Sequence, residues 1–157
     1  MIRDWEDLKY KLESYKSKKQ TVVFTNGCFD ILHKGHVDYL NKAKQLGEVL
    51  LLGLNSDASV RRLKGEKRPV VSENERAFIL ENLKAVDCVI LFDQDTPKEL
   101  IEFIIPDILV KGGDYTVDTI VGADTVISNG GKVTTIDLVE GCSTSSIIDR
   151  ILSSYSK

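Results

Sequence analysis

At 157 residues, with 42% apolar and 29% charged residues and a formal net charge of −3, the chain has the composition of an ordinary globular protein, long enough to bury a core without disulfides or a structural metal. Twenty-one Lys and Arg against twenty-four Asp and Glu leave no basic excess for a polyanion, which removes nucleic acid as an expected partner. Cys28, Cys88 and Cys142 are odd in number and lack any C-x-x-C spacing, so neither a disulfide framework nor a zinc site is expected.

From Ile2 to Lys18, Trp5, Leu8, Leu12 and Tyr15 recur at helical spacing among charged residues and predict an amphipathic helix packed on the body. The β-branched and aromatic run Thr21–Thr25 reads as a strand, followed by Asn26–Gly27 and a helical pattern through Val37, Leu40, Ala43 and Leu46. Glu48–Leu54 is a nearly continuous apolar strand of the kind covered on both faces, and Asn55–Arg68 reads as the loop after it. Ser72-Glu73-Asn74-Glu75 fits a capping box at a helix start, ahead of a strand at Cys88–Phe92. Thr96-Pro97-Lys98-Glu99 fits the same device, with Pro at the first helical position. Strands at Ile108–Val110 and Val133–Leu138 bracket a helix over Val117–Ser128 that stops at Asn129-Gly130-Gly131, and a last helix begins near Ser143 and runs through Ile147, Ile148 and Ile151. Apolar runs such as Val49–Leu52 fall far short of the ~20 residues that span a bilayer, and no apolar leader follows Met1, so a cytoplasmic protein without membrane insertion is expected.

This alternation predicts an α/β fold, a doubly wound five-stranded parallel sheet with helices on both faces, because parallel neighbours need crossovers and both faces then need cover. Ligands in such folds bind beyond the carboxyl ends of the strands. Four loops are therefore of interest: Asn26–His36, Asn55–Arg68, Lys111–Tyr115 and Glu140–Ser146.

The chain's two histidines, His33 and His36, fall three residues apart where the first strand turns into a helix, with Gly35 between them. Gly35 would let oxygens of an anion approach backbone N–H groups and the positive end of the helix. Capping or surface roles, and metal ligation, are the alternatives. Neither G-x-x-x-x-G-K-S/T nor G-x-G-x-x-G occurs, so phosphate binding would need this other device. Arg61, Arg62, Lys64, Lys67 and Arg68 form the densest cationic stretch; it is either a solvated face or a cover for a polyphosphate. Arg76 reaches the cleft or stays on its helix. Ser143-Thr144-Ser145-Ser146 reads as an N-cap that can double as a phosphate site. Cys28 and Cys142 read as small packed residues rather than nucleophiles.

The run Asn26-Gly27-Cys28-Phe29-Asp30-Ile31-Leu32-His33-Lys34-Gly35-His36 resembles the signature of the HIGH-type nucleotidyltransferases, which include the cytidylyltransferases. The resemblance extends from about Thr21 to Ile151. Asn55 to Gly65, Arg68-Pro69-Val70, Val110-Lys111-Gly112-Gly113-Asp114-Tyr115 and Glu140-Gly141-Cys142-Ser143-Thr144 are similar to the adenylyltransferases of D-glycero-β-D-manno-heptose 1-phosphate. It implies a Rossmann-like nucleotidyltransferase domain over 20–157 behind an N-terminal helix at 1–19. It also implies Mg²⁺ as cofactor, ATP and a sugar 1-phosphate as substrates, a homodimer, and a sugar kinase in the same pathway, either separate or the other half of a bifunctional protein. The expected products are ADP-heptose and pyrophosphate. By this resemblance His33, His36 and Lys64 are catalytic. Asn26, Gly27, Cys28, Phe29, Gly35, Lys111, Gly112, Asp114, Ser143, Thr144 and Ser145 bind the nucleotide, and Asp30, Asn55, Arg61, Arg62 and Arg76 bind the acceptor; apart from the resemblance, Asp30 is the candidate Mg²⁺ carboxylate or else orients or caps the loop before the helix. Where cytidylyltransferases of glycerol 3-phosphate carry Arg-Thr before Glu-Gly, this chain has Leu138-Val139. A CTP-dependent enzyme for a polyol phosphate is the alternative reaction, and a non-catalytic nucleotide-binding regulatory module the alternative class.

Overall fold

The computed structural model describes residues 1–113, 116 and 119–155. Its elements are α1 (Trp5–Ser17), β1 (Val22–Gly27), α2 (Lys34–Lys44), β2 (Val49–Asn55), α3 (Asp57–Lys64), α4 (Glu73–Glu81), β3 (Cys88–Phe92), α5 (Lys98–Ile104), β4 (Ile108–Gly112), α6 (Ala123–Ser128), β5 (Lys132–Ile136) and α7 (Thr144–Tyr155). The strands form one five-stranded sheet in the order β3-β2-β1-β4-β5, every pair parallel. After β3 the chain crosses back to the far side of β1, so strand order reverses between β1 and β4. A cleft opens at that point in doubly wound sheets.

Strand side chains alternate between two cores. Val22, Phe24, Val49, Leu51, Ile90 and Leu109 face α1, α5 and α6, which contribute Leu8, Ile101 and Val126. Val23, Leu50, Leu52, Leu54, Val89 and Val110 face α2 and α4, which contribute Leu40, Ala43 and Leu80. β2 is buried along its whole length, as a strand covered on both faces must be. Before α1, Ile2 donates to Val89 O and accepts from Leu91 N, so the first residues extend the sheet at its β3 edge.

Several local expectations hold. The capping box is present, with Ser72 and Glu75 satisfying each other's backbone N–H. Two expectations do not. Asp57–Lys64 is helix and not loop, started by Ser56, whose Oγ accepts from Ser59 N at 3.0 Å. Charge hides that helix in the sequence, since only Ser59 and Val60 of it are buried. The second capping box, at Thr96, is also absent: Pro97 takes the N-cap place, the helix begins at Lys98, and no side chain caps it. Glu99 instead accepts from Gln94 Nε2 at 3.3 Å. The predicted helix start at Val117 lies outside the described residues, and the described helix there is Ala123–Ser128.

Candidate active site

Between β1 and α2 the chain makes a tight loop in which Phe29 and Ile31 take left-handed backbone conformations, φ 46° and 50°, costly for a β-branched residue and persistent only where surroundings enforce it. The enforcement is visible. Asp30 is buried and accepts from Arg68 Nε at 2.6 Å, from Val70 N at 2.9 Å and from Val71 N at 2.9 Å. Its backbone carbonyl accepts from Thr144 Oγ1 at 2.6 Å. Burial works against ionisation of this carboxyl, but the two backbone donors and the Arg68 guanidinium outweigh it, so Asp30 stays ionised below the usual carboxylate range.

The loop delivers His33 to the N-cap of α2, which no side chain caps. The imidazoles of His33 and His36 stack, with centroids 3.7 Å apart and planes 19° from parallel, and Phe29 meets His36 edge-on at 5.2 Å. Both Nδ1 atoms are buried without a hydrogen-bond partner among the described residues. Burial, with the neighbouring His33, pushes His36 down to about 4 against the opposing charge of Asp30, and burial lowers His33 as well. Two neutral imidazoles therefore stand at the positive end of a helix, a setting suited to anionic oxygens.

The start of α7 closes on this pair. A Cβ placed on Gly35 would lie 3.0 Å from Cys142 Cβ and 3.1 Å from His33 Cε1. The missing side chain thus makes room for the protein itself, whereas the sequence suggested room for a ligand. Ser143 Oγ accepts from Ser146 N at 3.0 Å, the Thr144 hydroxyl is taken by Asp30 O, and Ser145 remains exposed. Of the three hydroxyls expected as phosphate donors, one caps the helix and one ties it to the histidine loop.

The remaining candidates separate. Arg76, fully buried, donates to Val71 O, Cys28 O, Asn55 O and Asp57 Oδ1 at 2.7–2.9 Å, binding four segments together and keeping its guanidinium out of the cleft. Asn55 is likewise buried, its amide donating to Ser59 Oγ. Asp30, Asn55 and Arg76 therefore hold the loops in place: the sequence offered that loop-orienting role for Asp30, while for Asn55 and Arg76 it led to an expectation of acceptor contacts. Arg61, Arg62 and Lys64 lie exposed on α3. The charge of Lys64 is felt at the Cys28 thiol, where it and Arg76 oppose the burial that raises that thiol. Arg62 points to the turn after β3. On the other side of β1, Lys111 on β4 donates to Asn26 Oδ1, bridging the two strands between which the order reverses. Gly112 ends β4, and a Cβ on Gly113 would meet Asp137 Oδ1 at 2.9 Å, so that glycine too accommodates the chain. Asp114 lies outside the described residues. Among the described residues no group of three or more His, Cys, Asp or Glu is placed to hold a metal ion, and Asp30, the carboxylate expected for Mg²⁺, is fully engaged by Arg68 and two backbone donors. The described side chains do not form a magnesium cage.

Sequence reasoning missed the Thr144–Asp30 tie, the pairing of Arg68 with Asp30 and the pairing of Arg76 with Asp57. Separations of 19 to 114 residues leave no local periodicity to reveal such contacts.

Residues 24–150 match the family described as Cytidylyltransferase-like. The chain is similar to the Bifunctional protein HldE of Syntrophotalea carbinolica, 61% identical over 154 residues that make up 98% of this chain and 31% of that protein. It is similar also to the Bifunctional protein HldE of Citrifermentans bemidjiense, at 56% over 98% of this chain and 32% of that protein. The chain thus spans about a third of the length of these curated relatives. Among solved structures it resembles the lipopolysaccharide core biosynthesis protein from Thermoplasma volcanium GSS1, with TM-score 0.61 and 30% identity, over 76% of this chain and 97% of that one.

Proposed function

This chain belongs to the cytidylyltransferase-like family, and from that premise we propose that it transfers AMP from ATP to D-glycero-β-D-manno-heptose 1-phosphate, giving ADP-heptose and pyrophosphate. One observation carries the reading: the stacked His33 and His36 and the start of α7, more than a hundred residues apart in the chain, come together, with Gly35 against Cys142 and Thr144 bonded to Asp30 O. A pair of neutral N–H donors facing a helix terminus suits a triphosphate better than a neutral ligand. A sugar of a surface glycan as acceptor accords with the likeness to a lipopolysaccharide core biosynthesis protein in Thermoplasma.

In this reaction an oxygen of the sugar phosphate attacks the α-phosphorus, forming a new P–O bond, while the bond from that phosphorus to the bridging oxygen of the β-phosphate breaks and its electron pair leaves with pyrophosphate. The attacking phosphate is already ionised, so no base is required. The chain's task is to align the two phosphates and to meet the charge that spreads over the non-bridging oxygens. His33 and His36 supply donors at that point, each worth about 3 kcal/mol in the transition state when well aimed. Lys64 adds a positive charge, and the α7 terminus holds the polyphosphate in line. Mg²⁺ would enter with the triphosphate and would supply charge neutralisation there, since the described side chains form no cage for it; the steps above are those of the chain's own residues. A homodimer supplied by a sugar kinase completes the proposal and rests on the sequence resemblance.

Pyrophosphate release tests it: purified protein with Mg²⁺, each of the four nucleoside triphosphates, and a panel holding heptose 1-phosphate and glycerol 3-phosphate. Turnover with ATP and the sugar 1-phosphate is expected. Turnover with CTP and the polyol phosphate replaces this reading, and none with any pair reduces the protein to a nucleotide-binding module.

A further inference from the structure

One edge of α3 is fastened to the turn that follows β3. Ser56 Oγ donates to Asp93 Oδ1, Ser59 Oγ donates to Gln94 O at 3.2 Å, and Arg62 donates through Nε to Asp95 Oδ1 at 2.7 Å and through Nη2 to Asp93 O. These three residues recur at every third position and make one stripe of the helix. Lys64, two positions past Arg62, is rotated from it by about 200° and lies across the helix axis. There its charge reaches the Cys28 thiol in the histidine loop. Past Gly65 the chain continues directly into Arg68, Val70 and Val71, the residues that hold Asp30.

Among the described residues no side chain other than Arg62 ties down the end of α3. Arg61, Arg62, Leu63 and Lys64 are all exposed, and beyond Arg62 lies an open cavity of about 560 Å³ lined by Asp93, Gln94, Asp95, Thr96 and Glu99. The buried residues of this helix, Ser59 and Val60, sit one turn earlier. A partly exposed ion pair contributes little to global stability, so the consequence of this clamp is orientation.

We propose that Arg62 is a positioning residue: by gripping the Asp93–Asp95 turn it fixes the last turn of α3 so that Lys64 stands on the opposite side, toward the loop that carries the imidazole pair. This rests on the nucleotidyl-transfer reading, and it assigns Arg62 a place outside substrate contact.

A double-mutant cycle decides it. Steady-state pyrophosphate release with ATP and heptose 1-phosphate is measured for Arg62→Ala, Lys64→Ala, the double variant and Arg62→Lys. Arg62→Ala is expected to lower kcat/KM for ATP about fivefold, chiefly through KM, the size set by a surface ion pair. In the Lys64→Ala background the same change should cost less than about twofold, because the group it positions is gone. Arg62→Lys, which still pairs with Asp95, should recover most of the loss. Equal losses in both backgrounds, or none in either, overturn the proposal. If the unmodified protein releases no pyrophosphate, the reaction assignment fails by itself, and amide hydrogen exchange then judges the clamp: faster exchange at residues 61–65 in Arg62→Ala, with α4 unchanged, supports it, and an unchanged α3 refutes it.

Discussion

Replacing Gly35 by alanine separates activity from stability. The added Cβ falls 3.0 Å from Cys142 Cβ and 3.1 Å from both Cε1 and Nδ1 of His33, where carbon atoms are at ease at about 3.5–4.0 Å. Relief requires the α7 terminus and the His33 ring to retreat by about 0.5 Å between them. Overpacking of this size costs about 1–3 kcal/mol. Against it stands the gain of up to about 1 kcal/mol from alanine over glycine in a helix, since Gly35 lies in the first turn of α2. Net stability should therefore fall by no more than about 3 kcal/mol. The same half-ångström is as large as the tolerance of a reacting constellation, and a displacement near 1 Å costs about a hundredfold, so kcat should fall about ten- to a hundredfold. Thermal melting followed by circular dichroism and pyrophosphate release are the two assays. A variant that keeps its melting temperature and also its full kcat would show that the contact between Gly35, Cys142 and His33 does not set the geometry of the reaction.

Other expectations follow from the same contacts. Arg76→Lys cannot reach all four acceptors of the buried guanidinium and should cost about 3–5 kcal/mol, a melting temperature lower by about 10 °C; a drop of only a degree or two removes Arg76 as the tie between these loops. His33→Ala and His36→Ala should each lower kcat by about 10² with the fold intact, and wild-type turnover in both contradicts their role as donors. Because His36 is pushed down to about 4 in the folded protein, mainly by burial, from 6.5 unfolded, the unfolded chain binds the extra proton first as pH drops. Stability should be full above about pH 6.5 and decline between there and pH 4. Urea midpoints at pH 8 and 5 should differ less in His36→Gln than in the unmodified protein, and equal differences reject the assignment.

The sheet is legible in the sequence because its signals are local. Val22–Phe24 and Val49–Leu54 read as strands from their apolar runs, and the Ser72 capping box from two residues three apart. The histidine pair declares itself by spacing and by its place after β1. What stays hidden depends on tertiary contact. Ser56 looks like loop because the helix it opens is polar outside two residues. Asp30, Asn55 and Arg76 look like ligand-binding groups, because burial of a charge and the identity of its distant partners leave no trace in composition or periodicity. Gly35 is instructive in a further way: its need for a missing side chain is visible, but whether ligand or protein fills the space is decided by α7, over a hundred residues later.

The central claim is that the imidazole pair and the α7 terminus grip one triphosphate. Titration of isotopically labelled protein with a non-hydrolysable ATP analogue and Mg²⁺, watched by nuclear magnetic resonance at the rings of His33 and His36 and the amides of Ser143–Ser146, addresses it directly. Both sets of signals should shift together and saturate with one common Kd. Shifts confined to the histidines, or to the α7 amides alone, contradict it.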